Sequence, residues 1–308
     1  MSIAFLFPGQ GSQRVGMGRE LVQASPRAQE IFSQAAEVLD FPVQDLCFAG
    51  PQEELNQTRY TQPALLTVEV ACLRFLEEQG IRPNLVAGHS LGEYAALVAA
   101  GALDFPQCLG LVAKRARLME AAAAGSMAAV LGLEASKIEE ICSSIGPVWP
   151  ANYNCPGQVV ISGQAEAVQE ASRRMVEQGA KRVIPLAVSG PFHSPLMEPA
   201  AQEFAAYVAK TTLQRADIPV VGNVTAGPLQ EPEELARELV TQIHSPVQWE
   251  QSIRYMLDQG VRVFVEVGPG QVLAGLVRRI DRRAEVYSVE TPADADKLLD
   301  SQKGDVVI

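Results

Sequence analysis

A chain of 308 residues, 47% apolar and 20% charged, holds enough material for one large core plus a smaller appendage and needs no covalent staples. Its net charge of −11 speaks against nonspecific nucleic-acid binding, which requires clustered cations; an acidic protein partner would need a local basic patch. The five cysteines (Cys47, Cys72, Cys108, Cys142 and Cys155) are scattered and form no C-x-x-C pair, which argues against a zinc site or a disulfide framework and fits thiols in a reducing cytoplasm.

The first residues, Met-Ser-Ile-Ala-Phe-Leu-Phe-Pro, lack a basic stretch and a small-residue cleavage site and are not read as a signal peptide. Ile3 to Phe7 reads as a buried parallel strand stopped by Pro8-Gly9, and Gly9 to Gln13 as a loop. Helical spacing follows over 26–39 and 63–79. Leu85-Val86-Ala87 is a second short strand, then comes a turn at Ser90, then helices over 92–100 and 106–122. No apolar run reaches membrane-spanning length; Ala95 to Leu103 comes nearest and is short and rich in Ala. This alternation predicts an α/β layer with a largely parallel sheet.

The rhythm changes between 126 and 187. Strand Met127–Leu131, helix Ala135–Ser144, strands Val148–Asn152 and Gln158–Ser162, helix Ala165–Gln178 and strand Arg182–Leu186 give the order βαββαβ, the ferredoxin-like pattern. The predicted organisation is therefore a large domain from 1–125 and 188–308 with a small subdomain, 126–187, inserted in it. The large domain resumes with helix 195–210, strand 218–222, helices 232–243 and 247–258 and strand Val261–Val267; the polar tail beyond about Glu290 reads as loosely packed.

Gly88-His89-Ser90-Leu91-Gly92 lies between a predicted strand and a predicted helix, the context a nucleophilic serine needs. A sharp turn lifts the hydroxyl clear of the sheet, glycines avoid crowding, and the helix offers N–H groups to a developing oxyanion. A serine nucleophile needs a base, and the chain has three histidines. His89 adjoins Ser90 and would point elsewhere, packing beside the site. His244 sits where a helix ends and reads as a surface or capping residue. His193 lies in Ser189-Gly190-Pro191-Phe192-His193-Ser194-Pro195, a loop stiffened by two prolines, and is the favoured base.

Gly9-Gln10-Gly11-Ser12 lacks both a Gly-Lys-Ser/Thr and a G-x-G-x-x-G, so it reads as a loop bringing N–H groups near Ser90, without NTP or dinucleotide binding. Glu266-Val267-Gly268-Pro269-Gly270 reads as a structural turn before a helix. No His/Asp/Glu cluster has metal-ligand spacing, so no metal and no cofactor are expected. Of Lys114, Arg115 and Arg117, only Arg115 falls among apolar helix neighbours; pointing inward, it would need an anionic partner such as a substrate carboxylate.

These motifs have a family likeness. From near residue 3 to about 290 the chain resembles the malonyl-CoA:acyl carrier protein transacylases of type II fatty acid synthesis. The resemblance is carried by Phe7-Pro8-Gly9-Gln10-Gly11-Ser12-Gln13, Thr61-Gln62-Pro63-Ala64, Gly88 to Tyr94, Asn154 to Gly163, Pro191-Phe192-His193-Ser194, Pro246-Val247-Gln248-Trp249 and Glu266 to Gly270. It implies a hydrolase-like α/β fold with a ferredoxin-like insert. It also implies roles: Ser90 as nucleophile, His193 as base, the backbone carbonyl of Gln248 as the group orienting the histidine, and the N–H groups of Gln10 and Leu91 as the oxyanion hole. Arg115 is implied to hold the malonyl carboxylate, and Phe192 to mark malonyl rather than methylmalonyl selection. The implied substrates are malonyl-CoA and the phosphopantetheine thiol of acyl carrier protein, with no cofactor. Cys155, Ala116 and Glu120 depart from the usual Ser, Gly and Gln without touching these roles; Glu120 is expected to face solvent.

A stand-alone acyltransferase serving a polyketide synthase shares this chemistry and stays open. A serine thioesterase is disfavoured by Arg115, and a non-catalytic binding module by the intact Ser90, His193 and Arg115. Lys181, Arg182 and the run Arg278, Arg279, Arg282 and Arg283 are candidates for docking an acidic carrier, against the alternative of an ordinary solvated helix face.

Overall fold

The computed structural model describes residues 2–122, 124–188 and 190–304, the side chains of 301–304 excepted. Its strands, in chain order, are β1 Ile3–Phe7, β2 Leu85–Gly88, β3 Ser126–Leu131, β4 Val148–Cys155, β5 Gln158–Gly163, β6 Arg182–Pro185, β7 Val220–Val221, β8 Pro228–Leu229, β9 Val263–Val267 and β10 Glu285–Val289.

Six strands form a sheet in the order β10-β9-β1-β2-β7-β8, parallel except for β8, which pairs antiparallel with β7. β1 and β9 are buried on both faces, which explains their unbroken apolar runs. Phe5 and Phe7 join one layer of core while Ala4 and Leu6 join another, as side-chain alternation requires. The remaining strands form a second, antiparallel sheet in the order β4-β5-β3-β6. Helices Ala135–Ile145 and Ala165–Glu177 bury Ile138, Ile141, Val168, Ala171 and Met175 against Val130, Val159 and Ile161 of this sheet. The result is the expected α/β architecture with a ferredoxin-like unit.

Register sets up the site. Phe7 pairs with Gly88, so the ends of β1 and β2 are level and the loops that follow them, at Pro8-Gly9-Gln10 and His89-Ser90, meet. The N–H of His89 donates to the Phe7 carbonyl at 2.9 Å. From the small unit, the N–H of Tyr153 reaches the Val247 carbonyl, and the N–H of Val247 reaches Ala151, tying β4 to the segment before helix Trp249–Asp258.

Two sequence expectations change. The helix predicted from 63 runs from Thr58 to Glu78, with Pro63 inside it just past the first turn, at the cost of one intrahelical N–H bond. The tail beyond Glu290 is not loose throughout: after β10 at the sheet edge, helix Pro292–Gly304 buries Ala295 and Leu298 in the main core. The rest of that tail, 305–308, lies outside the described residues.

Candidate active site

The turn after β2 is strained in the way a nucleophile turn must be. Ser90 has φ of 52°, the left-handed region, which costs a residue with a Cβ roughly 1–3 kcal/mol. Glycine is obligatory on both sides. A Cβ at Gly88 would lie 1.9 Å from the Gly92 carbonyl carbon, and one at Gly92 would lie 2.0 Å from the Phe7 carbonyl oxygen. Two side-chain amides hold the backbone in place. Asn223, just past β7, accepts the Ser90 N–H at 2.7 Å and donates to the Gly88 carbonyl at 2.6 Å. Gln242, at the end of helix Pro232–Gln242, donates to the Ser90 carbonyl at 2.9 Å.

His193 also has a left-handed backbone, φ 57°, and its N–H donates to the Ile243 carbonyl. Its Nε2 lies 2.8 Å from Ser90 Oγ and its Nδ1 lies 2.8 Å from the Gln242 carbonyl oxygen. A carbonyl only accepts, so Nδ1 carries the proton and Nε2 offers its lone pair to the serine hydroxyl. Burial, and after it the charge of Arg115, brings the pKa of His193 down to about 3, against the opposing pull of the carbonyl. The imidazole is therefore neutral and able to accept a proton at neutral pH. Ser189, in the same predicted loop, lies outside the described residues.

The orienting carbonyl is a correction. The sequence reading assigned it to Gln248, but the structure puts Gln242 there. Gln248 precedes helix Trp249–Asp258, and its carbonyl accepts the N–H and hydroxyl of Ser252 instead. Its own N–H donates to the Asn223 carbonyl at 2.7 Å, so it fastens the helix to the Asn223 loop.

Arg115, on helix Phe105–Ala121, points inward and is fully buried, whereas Lys114 lies over the Tyr207 ring and Arg117 pairs with Asp40. Its Nη1 donates to Gln62 Oε1 at 2.8 Å; its Nη2 donates to Gln242 Oε1 at 2.7 Å and to Ser90 Oγ at 3.1 Å. The guanidinium also lies 5.3 Å from the centre of the Tyr94 ring, and its Nε has no hydrogen-bond partner among the described residues. All its bonded partners are thus neutral, an unusual setting for a buried cation. Burial lowers its pKa, yet a guanidinium stays charged. Glu120 lies away from it, with Arg59 at 3.7 Å.

Glu93, fully buried one turn beyond Ser90, ties the two amides together. Its Oε1 accepts from the Asn223 N–H at 2.8 Å and Nδ2 at 3.0 Å, and its Oε2 accepts from Gln242 Nε2 at 2.5 Å. Burial, then the neighbouring Glu238 carboxyl, pushes its pKa well up, opposed by those N–H groups and by Arg115. Sequence reasoning missed Asn223, Gln242 and Glu93. Glu93 and Gln62 lay within motifs already singled out, but nothing local marked them as partners of Arg115 or Ser90.

The Gln10 loop packs on the nucleophile turn, a Cβ at Gly9 falling 2.6 Å from the His89 carbonyl oxygen. Gln10 Nε2 donates to Thr58 Oγ1 at 3.1 Å, which pins the loop to the start of helix Thr58–Glu78. Leu91 stands at the start of helix Gly92–Ala99. Phe192 is buried in the core beside His193. His89 turns away from Ser90 and contacts Asn154 Oδ1 at 2.9 Å, with its ring 5.4 Å from that of Trp249. His244 sits in the turn closing helix Pro232–Gln242, its N–H donating to the Thr241 carbonyl. Glu266 caps the following helix, accepting the N–H groups of Leu273 and Ala274. Among the described residues no group of His, Cys, Asp and Glu is placed to hold a metal ion, and no helix is long and apolar enough to cross a membrane.

The model of the acyl transferase domain family matches residues 4–293. A malonyl CoA-acyl carrier protein transacylase from Bacillus subtilis is 45% identical over 98% of this chain and 97% of its own. Its namesake from Staphylococcus aureus is 44% identical over 94% and 96%. Among solved structures, the malonyl-CoA:acyl carrier protein transacylase of Xanthomonas oryzae superposes with a TM-score of 0.95 at 44% identity, covering 97% of this chain and 98% of that one. A malonyl-transacylase in complex with its type II polyketide acyl-carrier protein gives 0.95 at 41% identity, covering 98% and 100%. The fold, the glycine-bounded serine turn and this full-length similarity agree: the chain belongs to the malonyl-CoA:acyl carrier protein transacylase family.

Proposed function

We propose that the protein transfers a malonyl group from malonyl-CoA to the phosphopantetheine thiol of acyl carrier protein in fatty acid synthesis, through a malonyl ester on Ser90. The observation that carries this reading is Arg115, a buried cation bonded only to neutral groups and within 3.1 Å of the serine hydroxyl. A site for a neutral acyl chain has no use for such a charge. A site for an acyl group ending in a carboxylate does.

In the first half-reaction His193 Nε2 takes the Ser90 proton as Oγ attacks the thioester carbonyl. The N–H groups of Gln10 and Leu91 receive the oxyanion, each such donor being worth about 3 kcal/mol in comparable sites. The C–S bond breaks, and CoA leaves as a thiol carrying the proton from His193. In the second, His193 deprotonates the carrier thiol, which attacks the ester; Ser90 regains its proton as the product thioester forms. The Gln242 carbonyl keeps the imidazolium oriented at each stage, and Phe192 packs beside His193, where it limits branching at the acyl α-carbon. Both half-reactions balance with these residues and the two substrates.

We place this chemistry in the cytoplasm, which suits the free, buried state of all five cysteines. We also propose that 126–187 works as a small subdomain closing over the cleft of a catalytic domain made of 1–125 and 188–308, a reading supported by the Asn154–His89 contact beside the nucleophile. Substitution of Arg115 by Ala tests the reading directly, since it should depress malonyl transfer far more than acetyl transfer.

A further inference from the structure

We propose that Glu93 is a positioning and specificity residue, one buried carboxyl that fixes both the Ser90 backbone and the Arg115 guanidinium through the side chains of Asn223 and Gln242. The inference rests on the proposed roles of Ser90 and Arg115 and extends them.

All three groups that contact the Glu93 oxygens are N–H donors: Asn223 N and Nδ2 on Oε1, and Gln242 Nε2 on Oε2. Asn223 in turn holds the Ser90 N–H and the Gly88 carbonyl. Gln242 Nε2 also holds the Ser90 carbonyl, and its Oε1 faces Arg115 Nη2. Both backbone groups of a residue held at φ 52° are therefore secured by amides that converge on one carboxyl. The same Gln242 amide presents its oxygen to Arg115 while its nitrogen is drawn to Glu93 and Ser90, so the position of Arg115 is coupled to that of the nucleophile.

A carboxamide cannot replace this carboxyl. It offers one oxygen, so an NH2 group would have to face either Asn223 or Gln242, donor against donor. Whichever side loses its acceptor, Ser90 loses a support. When Gln242 is the side displaced, Arg115 loses its acceptor as well, and a misplaced guanidinium harms most those acyl groups that carry a carboxylate.

The test measures Ser90 acylation by malonyl-CoA and by acetyl-CoA in four proteins: wild type, Arg115→Ala, Glu93→Gln and Gln242→Met. The last keeps its backbone carbonyl for His193. Glu93→Gln should lower kcat for both donors and also raise KM for malonyl-CoA, so that the malonyl-to-acetyl ratio of kcat/KM falls about tenfold, as expected when a buried charge-assisted contact is misaligned. Gln242→Met should lower the same ratio. Adding Glu93→Gln to Gln242→Met should not lower it further, because the route to Arg115 is then already cut. A ratio unchanged in Glu93→Gln, with both donors slowed equally, would reduce Glu93 to a structural residue and overturn the proposal. Where Glu93→Gln does not fold, a wild-type ratio in Gln242→Met overturns it equally. Arg115→Ala separates the two readings: if it leaves the ratio intact, the functional assignment itself has failed.

Discussion

Arg115 Nη2 lies 3.1 Å from Ser90 Oγ, so the cation proposed to receive the substrate carboxylate is already bonded to the nucleophile in the free protein. The contact favours the serine oxygen as it gains negative charge, and the same cation helps keep His193 unprotonated. In the proposed reaction a malonyl carboxylate, with two oxygens and a full charge, would compete for these donors and leave the hydroxyl to His193.

Arg115→Ala should therefore cost malonyl transfer on the order of 10- to 100-fold in kcat/KM, the range for losing a charge-assisted hydrogen bond. Acetyl transfer should change far less. Parallel kinetics with the two CoA esters check this; an equal loss of both removes the carboxylate role.

The low pKa of His193 makes a prediction about acid pH. The ordinary imidazole value is 6.5 and the folded value is about 3. Between these the unfolded chain binds the extra proton, so the contribution of this group to stability is complete above 6.5 and is lost as pH falls towards 3. Replacing His193 by Asn should flatten that part of the Tm-against-pH curve relative to wild type. The acid limb of acylation should likewise lie well below the usual histidine range, which a kcat/KM profile for malonyl-CoA would show.

Strain at the nucleophile can be measured separately from catalysis. Ser90→Gly and Ser90→Ala both remove the hydroxyl and should both abolish the acyl-enzyme. Only glycine accepts φ of 52° freely, so Ser90→Gly should be more stable than Ser90→Ala by about 1 kcal/mol in denaturant titrations.

Glu69 offers a stability test at a residue that takes no part in the proposed chemistry. Its carboxyl is fully buried, neither oxygen has a hydrogen-bond partner among the described residues, and burial followed by the charge of Glu266 holds its pKa well above the ordinary 4.5. A raised carboxyl contributes its stability below 4.5 and loses it as pH rises towards the folded value. Glu69→Met should therefore stabilise the protein at neutral pH by about 1–3 kcal/mol and weaken the fall in Tm as pH rises above 4.5.

Carrier docking can be probed at Arg279, whose Nη1 contacts Gln158 Oε1 next to the Cys155 end of β4, close to the Asn154 that touches His89. Arg279→Glu should raise KM for an acidic carrier several-fold, more at low salt than at high, and leave acylation by malonyl-CoA unchanged. Arg278 and Arg283 make poorer probes: Arg278 fastens the backbone at the Val286 carbonyl and the charge of Arg283 is met by Asp281, whereas Arg279 bonds a neutral side-chain amide.

What could be read from the sequence was local. Ser90 stood in a glycine-bounded turn, His193 in a proline-stiffened loop, and Arg115 among apolar helix neighbours, each signal spanning only a few residues. The strand and helix periods of the small unit were equally plain, and its elements end within a few residues of expectation. The orienting carbonyl was misplaced from Gln242 to Gln248 because a backbone oxygen leaves no trace in residue type. Asn223 and Glu93 were missed for a different reason: their partners are 130 or more residues away in the chain, and only the fold brings them together. The tail misled through its polar surface, which hides the two apolar anchors Ala295 and Leu298.

In the proposed reaction Ser90 carries malonate between two thiols. Intact-protein mass spectrometry after mixing with malonyl-CoA, followed by peptide mapping, tests it most directly. One malonyl ester per chain should form on Ser90, disappear when phosphopantetheinylated carrier protein is added, and reappear as malonyl-carrier. An adduct on another residue, or release of free malonate with no malonyl-carrier formed, would contradict it.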